Sequence, residues 1–297
     1  ANDYSYESTE RSCPLCNGEE QIPKQDLSLP PWRIAECARC AFVYLANPVD
    51  YSDLVEDHAW EKSRRQESAR RREDRPLLDR SSKRTRWRLR LAGNTNAKVL
   101  AKVFPGGRVL DVGCGGGLAL PEPLVPYGVE ISRELADRAD YVMQRRGGYC
   151  VHAPALEGIK TFDAGFFQGV LLRSFLEHET NPLPLLHDVH RVLAEDGVVY
   201  IRVPNFASVN RRVMGQRWCG FRYPDHVNYF TPDSLGRMAA EAGFAMDIQN
   251  PLRLPFDDNI KVLLRKTETP AAVAGRLAGL NSGSMPAPPK RSAASAM

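Results

Sequence analysis

Residues 108–117 read Arg-Val-Leu-Asp-Val-Gly-Cys-Gly-Gly-Gly, a short apolar run that ends in a glycine cluster. No other stretch constrains the fold as much. An apolar run of this length bounded by glycine reads as a buried strand. Glycines at 113, 115 and 117 let the backbone turn sharply and approach a ligand closely. Downstream, short apolar runs alternate with helical patterns. Strands are expected at Arg108–Asp111, Tyr127–Ile131, Tyr149–His152, Phe166–Leu172 and Val198–Val203. Leu185, Leu186, Val189, Val192 and Leu193 mark one face of a helix expected to end at Glu195-Asp-Gly197. Thr231 is the expected N-cap of another, with Pro232 at its first position, Asp233 in its first turn and Gly243 closing it. This alternation predicts an α/β fold with a Rossmann-like, doubly wound parallel sheet. A ligand of such a sheet lies at the carboxyl ends of the strands.

The loop has the spacing DxGxGxG, with Asp111 ahead of the first glycine, whereas a dinucleotide site usually reads GxGxxG. An acid there repels a pyrophosphate and suits a cationic amino-acid moiety. Glu130, ending the second strand, is placed to accept hydrogen bonds from both hydroxyls of a ribose. Cys114 reads as a small packing residue of the loop and not as a nucleophile.

Asp111-Val-Gly-Cys-Gly115, Gly128-Val-Glu130, Leu176-Glu-His178, the helix ending Arg191-Val-Leu193, and Val203-Pro-Asn205 together resemble the class I S-adenosylmethionine-dependent methyltransferases. The likeness runs from about Val109 to Phe244. The tract from Trp218 to Phe230 is similar to that of zinc-ribbon-bearing bacterial methyltransferases associated with glycan or secondary-metabolite genes. The resemblance implies that S-adenosylmethionine binds with Asp111, Gly113, Cys114, Gly115 and Gly117 around its methionine end, and Glu130 and Ile131 at its ribose. Two departures stand out. Pro121, Pro123 and Pro126 follow the glycine loop where the family has its first helix, so a loop or a truncated helix is expected. The family's adenine-contacting acid near the third strand is replaced by Ala153-Pro-Ala155, and Glu157 is the candidate substitute.

Four of the seven cysteines form two pairs, Cys13-Pro-Leu-Cys16 and Cys37-Ala-Arg-Cys40. Two CxxC units about twenty residues apart match a tetrahedral zinc site with four thiolate ligands. Four thiolates leave no open position for water, so the zinc is expected to be structural.

Methyl transfer needs an aligned nucleophile and often one general base. The candidates are His178, after the fourth strand, and His226, in Tyr223-Pro-Asp-His-Val-Asn-Tyr229. For each the alternative is a bracing role. His187 and His190 are expected to face solvent. The expected domains are a zinc ribbon over 1–50, a basic helical connector over 51–98, a Rossmann-like methyltransferase domain over 99–268 and a disordered tail over 269–297. The net charge of +4 singles out no partner. The expected acceptor is a small molecule or glycan, with O-methylation the expected reaction. An RNA base methyltransferase, drawing on the arginine-rich connector, and a non-catalytic scaffold are the alternatives. Neither a secretory signal nor a membrane-spanning run is visible, so a cytoplasmic location is the default expectation.

Overall fold

The computed structural model describes residues 10–49, 95–104, 106–117, 120–249 and 251–267. The expected connector up to residue 94 and the tail from 269 onwards lie outside the described residues. Two sheets organise the rest. The smaller contains β1 (Gln21–Pro23), β2 (Ile34–Cys37), β3 (Val43–Leu45) and, from far along the chain, β9 (Asn228–Tyr229). The larger contains β4 (Gly107–Val112), β5 (Leu124–Glu130), β6 (Cys150–His152), β7 (Phe167–Arg173), β8 (Leu193–Pro204), β10 (Phe244–Ile248) and β11 (Asn259–Lys266). Its order is β10-β11-β8-β7-β4-β5-β6.

Five strands of the large sheet, β4 to β8, run parallel, as the alternating pattern predicts. β7 is apolar along its length because a central parallel strand is covered on both faces; Val170, Leu171 and Leu172 are fully buried. The helices are α1 (Thr95–Val103), α2 (Arg133–Gln144), α3 (Ala155–Gly158), α4 (Pro182–Val192), α5 (Val209–Met214) and α6 (Pro232–Glu241). The inner face of α4 is Leu185, Leu186, Val189 and Val192, the stripe read from the sequence. α6 starts as expected, with Thr231 and Ser234 forming a reciprocal capping box.

Four details depart from or refine the expectation. β8 begins at Leu193 directly after α4, so Glu195-Asp-Gly197 does not end the helix. Those residues bulge out between the pairs Phe167↔Leu193 and Gly169↔Val198. Secondly, β10 and β11 form an antiparallel hairpin on β8, which makes the sheet mixed. Thirdly, His190 is only partly exposed. Its ring packs edge-on against Phe244 at 5.0 Å, while His187 is exposed. Lastly, the described residues between Gly113 and Leu124 form no helix, as the prolines require. Pro126 fits within β5 because alternate residues of a parallel strand address the same neighbour. Gly128 donates towards β6, and Pro126, two residues earlier, points at the same side before β6 begins opposite Gly128.

Candidate cofactor and acceptor site

A cavity of about 880 Å³ opens at the carboxyl ends of β4, β5, β7 and β8, within the size range of small-molecule sites. Its first wall is the glycine loop. Gly113 has φ +68°, and a Cβ there would collide with the Phe175 ring at 2.4 Å. Gly115 has φ +57°, and a Cβ there would meet nothing within 4 Å, leaving the backbone open to a ligand. Glu130 is buried at the end of β5. Its Oε2 accepts from the Gly115 amide at 2.8 Å and its Oε1 from the Ser132 amide at 3.0 Å. A carboxylate offers about four lone-pair sites, so two remain for ribose hydroxyls. Ile131, Ala153, Pro154, Ala155, Leu156 and Glu157 continue this wall. Ala153, Pro154, Ala155 and Leu156 make this stretch largely apolar, with Glu157 in the first turn of α3.

Asp111, Cys114, Gly117 and His226 do not line the cavity, whereas Gly113, Gly115, Glu130, Ile131, Glu157 and His178 do. Asp111 is buried and paired with Arg173 at 3.2 Å. Burial lifts its pKa to about 6, partly offset by that guanidinium. Cys114 packs behind the loop, its Sγ 3.6 Å from that of Cys150.

The second wall comes from the N-terminal segment. Cys13, Cys16, Cys37 and Cys40 converge, with Sγ–Sγ separations of 3.4 Å for Cys13–Cys40 and 3.5 Å for Cys16–Cys37. Each pair sits in a tight turn. The Asn17 amide donates to Cys13 O and the Ala41 amide to Cys37 O, and both Asn17 and Ala41 have φ +56°. Four converging thiols without a disulfide fit a tetrahedral metal of the zinc type. This segment presents Arg11, Ser12, Cys13, Pro14, Pro48 and Val49 to the cavity. Arg11 joins it to the loops that carry His178 and His226. Its guanidinium donates to Leu45 O at 2.9 Å, Thr180 O at 3.0 Å, Asn228 Oδ1 at 3.1 Å, and Val227 O. β9 completes the bond by pairing antiparallel with β3.

The third wall follows β7 and β8. Ser174, directly after β7, is held at φ +54°, a strained conformation of the kind that gathers at functional sites. Arg202 donates to Ser174 Oγ at 2.8 Å. His178 Nδ1 donates to Asp225 O at 2.9 Å, which leaves Nε2 as the nitrogen with a lone pair. His226 Nδ1 donates to Gly220 O at 2.7 Å, and its ring lies edge-on to that of His178 at 4.7 Å. Behind them Glu177 is buried, its Oε2 without a partner. Burial, with the Arg222 charge, lowers His178 to about 4; burial, with His178 and Arg222, puts His226 well below the usual range. Burial pushes Glu177 up to about 8 against the pull of Arg202 and Arg222. Ligand atoms of Glu177, His178 and His226 lie within 4.8 Å of one another, but the two adjacent guanidiniums repel a divalent cation.

The family model described as Methyltransferase domain matches residues 82–249, more than half of the 297-residue chain. The chain belongs to the class I methyltransferases. The methyltransferase is similar to proteins named ubiquinone biosynthesis O-methyltransferase. In Nitrosospira multiformis the identity is 25% over 171 residues, covering 52% of this chain and 68% of the relative. In Thiobacillus denitrificans it is 28% over 218 residues, covering 65% and 87%. Among solved structures, a SAM-dependent methyltransferase from Archaeoglobus fulgidus aligns with a TM-score of 0.47 at 19% identity, covering 57% of this chain and 90% of that one. The 1,6-didemethyltoxoflavin-N1-methyltransferase of Burkholderia thailandensis, solved with S-adenosylhomocysteine, aligns with a TM-score of 0.45 at 20% identity, covering 81% and 97%.

Sequence reasoning passed over Arg11, Ser174, Arg202 and Arg222 as lining residues of the methyltransferase. One signal was present for Arg202. It interrupts an otherwise apolar buried strand, Val198-Val-Tyr-Ile-Arg-Val203, near the carboxyl end where ligands sit.

Proposed function

We propose that the methyltransferase uses S-adenosylmethionine to methylate a hydroxyl group of a small molecule or sugar. The observation that carries this is a single cavity with both halves of such a site. The open glycine loop and Glu130 lie on one side, and His178 and polar side chains on the other. When bound, the cofactor supplies a methyl group activated on a sulfonium. Gly113 and Gly115 would hold its methionine end, Glu130 its ribose, and Ala153 to Glu157 its adenine. The N-terminal wall and α3 narrow the cavity around both ligands and exclude water.

His178 acts as the base. The acceptor O–H proton passes to its Nε2 as the oxygen forms its bond to the methyl carbon and the carbon–sulfur bond breaks. Held at about 4, His178 is neutral near pH 7 and keeps its lone pair. His226, which does not reach the cavity, braces the His178 ring. The four cysteines hold a structural zinc that shapes the acceptor wall. The names of the curated relatives support O-methylation. Two CxxC pairs placed to hold a metal suit a reducing compartment, which supports a cytoplasmic placement. No helix among the described residues is long and apolar enough to cross a membrane.

The test is incubation with a methyl-deuterated cofactor and, in parallel, a panel of phenols, catechols, sugars and bulk RNA, read by mass spectrometry. A labelled small molecule is the expected result, lost in His178→Ala. Label in RNA alone, or in nothing, overturns the reading.

A further inference from the structure

The acceptor end of the cavity carries a charge pattern that the proposed reaction does not require. Three arginines line it. Arg11 is committed, since its guanidinium serves four acceptors of the protein. Arg222 pairs with the buried Asp225 at 3.3 Å. Arg202 differs. Among the described residues its one side-chain bond is to the neutral Ser174 hydroxyl at 2.8 Å, no ion pair joins it to a carboxylate, and its Nε is buried without a partner.

The groups nearby do not neutralise it. Glu177 is the carboxyl that both Arg202 and Arg222 approach, and burial keeps it protonated up to about pH 8. His178 is neutral as well. Glu179 lines the same cavity, but its Oε1 accepts from the Asn181 amide at 2.8 Å and the Arg11 guanidinium stands near it. A guanidinium whose charge is unanswered by the protein, in a partly desolvated wall, gains most from an anion, and its planar fork suits a carboxylate or phosphate. Ser174 adds a hydroxyl at the same spot, held in place by its strained backbone and by Arg202.

We propose that the acceptor is an anion whose carboxylate or phosphate is bound by Arg202 and Ser174. This rests on the methyltransferase reading of the cavity. It also accounts for the base. Burial is the main cause of the low His178 value and the Arg222 charge adds to it; a bound anion offsets that added charge and so makes Nε2 a better proton acceptor during the reaction.

The experiment uses the full chain, titrated first with S-adenosylhomocysteine and then, saturated with it, with two matched pairs of probes by calorimetry. The pairs are 4-hydroxybenzoate with 4-hydroxybenzamide, and phenyl phosphate with phenol. At least one acid is expected to bind about ten-fold or more tighter than its neutral partner, and which pair shows the preference separates carboxylate from phosphate. In Arg202→Gln the preference falls to about two-fold or less with S-adenosylhomocysteine affinity unchanged. Arg202→Lys, which keeps charge but not the fork, falls between. Equal binding within both pairs, binding by neither acid, or a preference that survives Arg202→Gln overturns the proposal. Failure of the first titration instead removes the methyltransferase reading on which it rests.

Discussion

At pH 7 the Glu177 carboxyl is protonated, because burial outweighs the pull of two neighbouring guanidiniums and holds it at about 8. Its ordinary value is 4.5, so its folded pKa is raised. The stability it contributes is therefore full below about pH 4.5 and is lost as pH rises through 8. Glu177→Gln is expected to leave the melting temperature unchanged at pH 5 and to raise it by about 2 °C or more at pH 8.5. Scanning calorimetry at the two values checks this; equal effects at both would contradict it. His178 has the opposite sign. Its pKa is lowered to about 4, so the base form persists far into acid. The acid limb of kcat/KM is expected below about pH 5 instead of near the ordinary histidine value of 6.5, and His178→Ala should cut kcat by about 100-fold or more. An acid limb near 6.5 that persists in His178→Ala would remove it from the base role. His178 was legible because a Leu-Glu-His run follows an apolar strand. The strain at Ser174 and the exposure of Arg202 were not, since both arise from the packing of strands distant in sequence.

The N-terminal sheet and the catalytic loops share one element, because β9 lies in the small sheet while the residues just before it brace His178. The Val227 and Asn228 amides both donate to Glu177 O, and Asn228 Nδ2 donates to Leu176 O and Glu179 O at 2.7 Å each. Arg11 then ties those segments to β3 through Leu45 O. Removal of the metal by a chelator, or Cys37→Ser, is expected to raise hydrogen exchange at 177–181 and 225–229 together with the first fifty residues. A rise confined to the N-terminal residues would show that the ribbon is not coupled to the site. Arg11→Ala leaves several carbonyls without a donor and is expected to cost about 2–4 kcal/mol. The paired CxxC turns and the helix starts at Thr231 and Pro232 were readable, because local chemistry specifies them. β9 was not, since two residues carry no period. The β10–β11 hairpin was not legible either: Ile260, Val262 and Leu264 alternate inward, but the unbroken apolar run Val262-Leu-Leu264 blurs that period of two.

Across the whole molecule one cavity draws on three stretches far apart in sequence: the paired cysteine turns, the glycine loop with Glu130, and the ends of β7 and β8. The fold class followed from alternating strands and helices, and the proposed cofactor end rests on glycine spacing with the acids Asp111 and Glu130, of which Glu130 lines the cavity. The acceptor end depends on which side chains long-range packing brings together, and no local pattern records that. The methyltransferase assignment thus rests most heavily on the wall formed by Gly113, Gly115 and Glu130. Calorimetric titration of the full chain with S-adenosylhomocysteine tests it directly. One-to-one binding with a dissociation constant below about 100 µM is expected, weakened about ten-fold or more by Glu130→Ala through loss of its ribose hydrogen bonds. No binding by the intact chain, or binding that Glu130→Ala leaves unchanged, would contradict the assignment.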